Sequence, residues 1–156
     1  IDTLLGLDIL DTGYEATFGE LVELAAFVSH TPMAALSLVD TERQWFKSTI
    51  GLEESELPRD VSFCGHTINL EHTLVVPDTL RDPRFVDNPL VTGDLHVRFY
   101  AGSPLVVDDH HVGTLCVVDR RPRTFLTDER RALEILARQA SAQLELRRRR
   151  ADDPDG

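Results

Sequence analysis

With 156 residues, 42% of them apolar and 28% charged, the chain has the size and composition of one globular domain, which excludes a collagen-like fibre and wholesale disorder. Its 16 Lys and Arg against 27 Asp and Glu give a net charge of −11, a poor basis for gripping a phosphate backbone, so nucleic acid is not an expected partner. Two cysteines make no disulfide framework and no stretch is apolar enough to span a bilayer, so reduced thiols, a cytoplasmic location and no membrane partner are expected.

In chain order, Phe18, Leu21, Val22, Leu24, Ala25 and Val28 recur at helical spacing and predict a helix from about Tyr14 to His30, with Asp11 or Thr12 as cap and Pro32 as its stop. Ala34 to Asp40 is short and apolar and predicts a strand, and 40–43 a hairpin turn. Gln44 to Ile50 then returns as a strand whose alternation puts Trp45, Lys47 and Thr49 on one face and Phe46, Ser48 and Ile50 on the other. Gly51 to Asp60 reads as an acidic loop, Ser62 to Leu70 as a short helix, and Thr73 to Val76 as a brief strand stopped by Pro77.

Asp78 to Asp94 is a connection of unusual length, a class often tied to function. Leu95 to Val107 predicts a strand interrupted near Gly102-Ser103-Pro104. Asp108 to His111 predicts a hairpin turn, with Gly102 and Gly113 as bulge or turn glycines, and Val112 to Asp119 the return strand. A final helix starts at a Thr127 cap, buries Leu133, Leu136, Ala137, Ala140 and Leu144, and runs to about Arg150, a rod of ~35 Å. Hairpin-linked strands with helices at both ends predict an α+β domain around an antiparallel sheet.

Six segments, met in order, resemble the GAF domain family: Arg43 to Ser48, Pro58 to His66, Asp82-Pro83-Arg84-Phe85, Asn88-Pro89-Leu90-Val91, Arg98 to Leu105 and Gly113 to Asp119. The likeness runs from about Leu7 to Leu146 and is to modules found in bacterial signalling proteins. It implies a six-stranded antiparallel sheet, with the terminal helices on one face and a short helix plus the long loop on the other. It implies regulation rather than catalysis: a module that senses an unknown small molecule and pairs as a homodimer through its terminal helices. It would be covalently linked to an output domain, a kinase or a cyclic-dinucleotide enzyme. Residues 1–146 would form the sensory domain and 147–156 a basic helix end and linker stub. Ligand-free members that serve as dimerising relays supply the alternative function.

The expected ligand-binding residues are Phe63, Cys64, His66, Phe85, Arg98 and Tyr100. No cofactor is named by the sequence. Alternation sends Arg98 and Tyr100 to one face and Phe99 to the other. Arg98 would serve an anionic or planar ligand, or pin the loop through Asp82, Asp87 or Asp60. The loop itself is either a lid or a fixed cover whose acids cap turns. Cys64 and His66, two apart on a helix, do not share a face, so with Cys116 they make a poor metal site. The segments around Cys64 and Cys116 do not resemble those of the GAF-fold enzymes that reduce free methionine sulfoxide, and thiol redox chemistry is the least favoured reading. Arg147 to Arg150 reads as a solvated or cross-protomer charge run.

Overall fold

The structure, a computed structural model, describes residues 15–39, 43–52, 56–58 and 72–152. Helix α1 (Ala16–Ser29) begins at Glu15 and not at the expected Asp11 or Thr12, which lie outside the described residues. Glu15 caps with its carbonyl, accepting from Phe18 and Gly19, and its carboxylate is used elsewhere. At the other end His30 takes the left-handed conformation (φ 58°). Its N–H reaches the Phe27 carbonyl at 3.3 Å, and Thr31 reaches Ala26 at 3.1 Å. This is a Schellman closure built on histidine where glycine is usual. Pro32 follows, as the stop requires.

Strand β1 (Met33–Val39) is buried along its whole length. It pairs antiparallel with β2 (Arg43–Ile50) on one side and β6 (His110–Asp119) on the other. Strand β3 (Glu56–Pro58) pairs with β2 inside the segment expected to be all loop. Strand β4 (Leu74–Val76) pairs with β5 (Phe99–Val107), and β5 with β6, giving a six-stranded antiparallel sheet in the order β3-β2-β1-β6-β5-β4. β5 is not interrupted at Gly102-Ser103-Pro104 but starts four residues later than expected, at Phe99. The β5–β6 turn is Asp108-Asp109, both at positive φ (54° and 61°), the geometry that matches the twist of a two-residue hairpin. His110 and His111 are therefore the first residues of a strand.

One bulge corrects the expected facing of β2. Leu36 pairs with Ser48 and Ser37 with Phe46, which leaves Lys47 as the extra residue. Beyond it the parity flips. Trp45 and Ile50 both join the helix-side core, and Phe46 goes to the other face. The Lys47 ammonium is fully buried and pairs with the Glu15 carboxylate at 2.5 Å, which also takes Arg147 at 2.5 Å. A buried cation of this kind persists only with such a partner.

Helix α3 (Thr127–Asp152) buries the predicted stripe Leu133, Leu136, Ala137, Ala140 and Leu144 against α1 and the sheet. Thr127 is its first residue and not its cap. The carboxylate of Glu129 accepts from the N–H of Leu126 at 2.9 Å, and the Leu126 carbonyl accepts from Arg130, so Leu126 holds the cap position. Leu24, expected in the core, is 46% exposed. Helices α1 and α3 run antiparallel, since Glu15 meets Arg147 at one end and His30 meets Glu129 at the other.

The opposite face carries the stretch expected as a long loop. It holds a 3-10 turn (Thr79–Arg81) and the short helix α2 (Pro89–Thr92). Phe85 and Val91 from this stretch, and Val97 just after it, are buried with Met33, Ala35, Tyr100 and Cys116 in a second apolar cluster. The short helix expected over Ser62 to Leu70 lies outside the described residues.

Candidate functional site

Strand register defines the floor of the loop-side face. Ala35 pairs with Cys116, Ser37 with Thr114, Cys116 with Gly102, and Thr114 with Pro104. Directly opposed residues in antiparallel strands share a face. The centre of that face is therefore small: Ala35, Ser37, Gly102, Thr114 and Cys116. Larger groups surround it, with Phe46, Met33, Val97 and Phe85 in the same cluster. A Cβ on Gly102 would stand 2.8 Å from the Thr114 methyl and collide with the hydroxyl of Tyr100. Glycine at 102 is what allows the Tyr100 ring to lie flat along the floor.

Two hydroxyls sit on this floor with no exposure at all. Ser37 Oγ donates to the Thr114 carbonyl at 3.4 Å. Among the described residues Thr114 Oγ1 finds no hydrogen-bond partner. A buried hydroxyl without a partner costs on the order of 1–3 kcal/mol. It marks a place where a water or a ligand group completes the valence.

The six expected residues are distributed as follows. Phe85 and Tyr100 meet in the loop-side cluster, both buried. Arg98 lies at the stem of the loop, on the same side as Tyr100, while Phe99 turns to the helix side, as alternation requires. Its guanidinium donates to the carbonyls of Val91 (2.8 Å) and Val97 (3.1 Å) and meets His96 Nδ1 at 3.1 Å. Among the described residues Arg98 thus holds the loop through carbonyl groups and not through Asp82 or Asp87; Asp60 lies outside them. Phe63, Cys64 and His66 lie outside the described residues. Sequence does not single out Ser37 or Thr114 and gives Gly102 only as a bulge or turn glycine, whereas it pairs regularly with Cys116. The signal of Ser37 and Thr114 was a hydroxyl on the same side as Ala35 and Cys116 in strands otherwise apolar.

The loop has the character of a fixed cover. Asp78, Asp82 and Asn88 each accept from the backbone N–H two residues on, at 3.1, 2.9 and 2.9 Å. These are local caps of the kind Asp and Asn favour. Asp82 also takes Arg84 in a two-pronged pair (3.0 and 2.7 Å). That hydrogen bond, outweighing desolvation, raises the Arg84 pKa above its ordinary value. Among the described residues no group of three His, Cys, Asp or Glu side chains stands ready for a metal ion. Cys116 is a buried, reduced thiol on the floor.

A hydrogen-bonded route leads from this cover to the helices. Thr79 N–H donates to the Arg98 carbonyl (2.9 Å) and Arg98 N–H to the Asp119 carbonyl (3.0 Å). Asp119 Oδ2 accepts from Arg123 at 3.3 Å, and Arg123 donates to the His30 carbonyl at the end of α1 (2.6 Å). Arg123 also lies 3.9 Å from Glu129 in the first turn of α3, and 5.7 Å over the Phe99 ring. Its own N–H meets the Pro77 carbonyl at the end of the β4 segment.

Comparison with known proteins agrees with this geometry. The chain is 40% identical over 154 residues to a cyclic di-GMP phosphodiesterase of Pseudomonas aeruginosa, covering 96% of this chain but 26% of that protein. The chain thus spans about a quarter of that relative's length. A domain of a two-component sensor histidine kinase protein from Sinorhizobium meliloti superposes with a TM-score of 0.71 at 16% identity, covering 94% of this chain and 100% of the other. Free methionine-R-sulfoxide reductase from Neisseria meningitidis superposes at 0.68 with 19% identity, covering 96% and 87%. At such identities the two structures speak for the fold alone. No helix among the described residues is long and apolar enough to cross a membrane. The GAF domain profile matches residues 13–144, and the chain belongs to that family.

Proposed function

We propose that this GAF domain is a small-molecule-sensing regulatory module of a larger cytoplasmic bacterial signalling protein. Its ligand sits on the loop-side floor of the sheet, against Ser37, Thr114 and Tyr100 and under Phe85, with Phe63, Cys64 and His66 as further expected contacts. The observation that carries this reading is the buried, unpartnered Thr114 hydroxyl on a floor of small side chains. The module performs no chemistry of its own. A ligand that prefers one arrangement of the cover biases the terminal helices, which pair with those of a second copy and act on a covalently attached output domain. The 40% identity to a cyclic di-GMP phosphodiesterase supports a cyclic-dinucleotide enzyme as that output.

The test is native mass spectrometry of the purified domain, wild type against Thr114→Val. Wild type is expected to retain a small molecule and the isosteric variant to lose it while keeping its fold. An empty wild-type domain, or one in which Thr114→Val changes nothing, contradicts the sensor and leaves a relay held by its helix layer.

A further inference from the structure

We infer that the molecule sensed on the loop-side floor carries no charge. It is a flat, largely apolar compound with one neutral hydrogen-bonding group, of the hydroxyl, carbonyl or amide kind, seated on Thr114. This rests on the sensor reading above and adds the chemical class of its ligand. The polar groups that the floor offers are hydroxyls. Thr114 Oγ1 is wholly buried, and among the described residues it finds no partner. Ser37, directly opposite, spends its proton on the Thr114 carbonyl at 3.4 Å and keeps its acceptor capacity. A hydroxyl both donates and accepts, so this pair can satisfy a neutral group that does the same. Beside them the Tyr100 ring lies over Gly102, within the apolar cluster that also holds Phe85 and Cys116. An aromatic face over small side chains suits a flat molecule.

The charges of the cover are matched within the protein. Arg98, the residue an anion would call on, gives its guanidinium to the carbonyls of Val91 (2.8 Å) and Val97 (3.1 Å) and meets His96 Nδ1 at 3.1 Å. Arg84 is held by both oxygens of Asp82, at 3.0 and 2.7 Å. Asp78 accepts from the Leu80 N–H at 3.1 Å and lies 3.6 Å from Arg81. A charged ligand must draw one of these groups out of its present bonds or stay unpaired in an apolar place. Either course costs more than one contact returns. A neutral group avoids both costs, since it completes the Thr114 hydroxyl and displaces no existing bond.

The test identifies what the purified 156-residue chain carries. The protein is denatured, and the released small molecule is passed over anion and cation exchangers at about pH 7 and weighed by mass spectrometry. It is expected to pass both exchangers unretained. The released molecule is then rebound to domain freed of it, by equilibrium dialysis. Its affinity is expected to stay within about twofold between ~50 and ~500 mM NaCl, since an uncharged compound makes no ionic contact to screen. It is expected to fall at least about tenfold in Thr114→Val and to return to within about threefold of wild type in Thr114→Ser, which keeps the hydroxyl. A retained molecule that is ionised at that pH, or that salt displaces, overturns the neutral class and leaves the sensor standing. A neutral molecule held as tightly by Thr114→Val as by wild type overturns its seat on Thr114, and the inference with it. A domain that carries nothing overturns the sensor reading and this inference together.

Discussion

Gly113 shows how tightly the sheet is assembled at single-residue scale. A Cβ there would collide with the Ser37 carbonyl oxygen and stand 3.0 Å from Leu38 Cα, both backbone atoms that cannot swing aside. It lies beside the β6 bulge, where Leu105 pairs with Gly113 and Val106 with His111. Gly113→Ala is therefore expected to destabilise by about 1–3 kcal/mol or more, because strand β1 must move away from β6. Urea denaturation measures this. A loss below a few tenths would show that the two strands do not approach so closely. Thr114, the next residue, behaves oppositely: in the empty domain its valine variant loses an unpartnered hydroxyl and no hydrogen bond, so stability should hold or rise. A fall in binding without a fall in stability is the signature that separates a ligand contact from a structural one.

Among the elements, α3 was the most legible in sequence and β3 the least. Five apolar residues at helical spacing over about three turns of α3 have one packing solution, and the structure uses it. Glu56-Leu57-Pro58 has no period to read, and its proline is tolerated because edge strands leave one row of N–H groups unpaired. The facing of β2 was misread for a related reason. A bulge at Lys47 adds one residue to a period of two, and nothing in Trp45-Phe46-Lys47-Ser48 announces it. Of the candidate site, sequence offered Phe85 and Tyr100 through the family resemblance and strand facing, and both lie buried in the loop-side cluster. It missed Ser37 and Thr114 because a hydroxyl in a strand is usually a neutral filler. Only the cross-strand register shows that these two meet.

Arg123 is the element-scale joint. It binds the carboxylate at the end of β6, the carbonyl closing α1 and the first turn of α3 from one guanidinium. The forked geometry of arginine is what lets one side chain serve three elements. Arg123→Met is expected to cost about 1–3 kcal/mol, since it strands Asp119 and the His30 carbonyl in a partly buried place. Arg123→Lys should recover only part of this. Chemical denaturation of the three proteins checks the order, and a lysine variant as stable as wild type would reduce Arg123 to a point charge.

For the molecule as a whole, the sheet separates two functions. One face is sealed by α1 and α3 through a large apolar core, and the other carries a small-residue floor under a capped cover. The two are joined by the ladder of Thr79, Arg98, Asp119 and Arg123. Under the proposed function a ligand on the floor would tighten the cover, and the ladder would pass that order to the start of α3, 26 residues long and ~39 Å from end to end. Amide hydrogen exchange reads this directly, since it reports local opening segment by segment. Comparing the domain as purified with the domain stripped of its small molecule, the account predicts slower exchange in the occupied form both at 78–98 and across the first turns of α3, and loss of the second effect in Arg123→Met. Protection confined to the cover, with α3 exchanging identically in both forms, would contradict it.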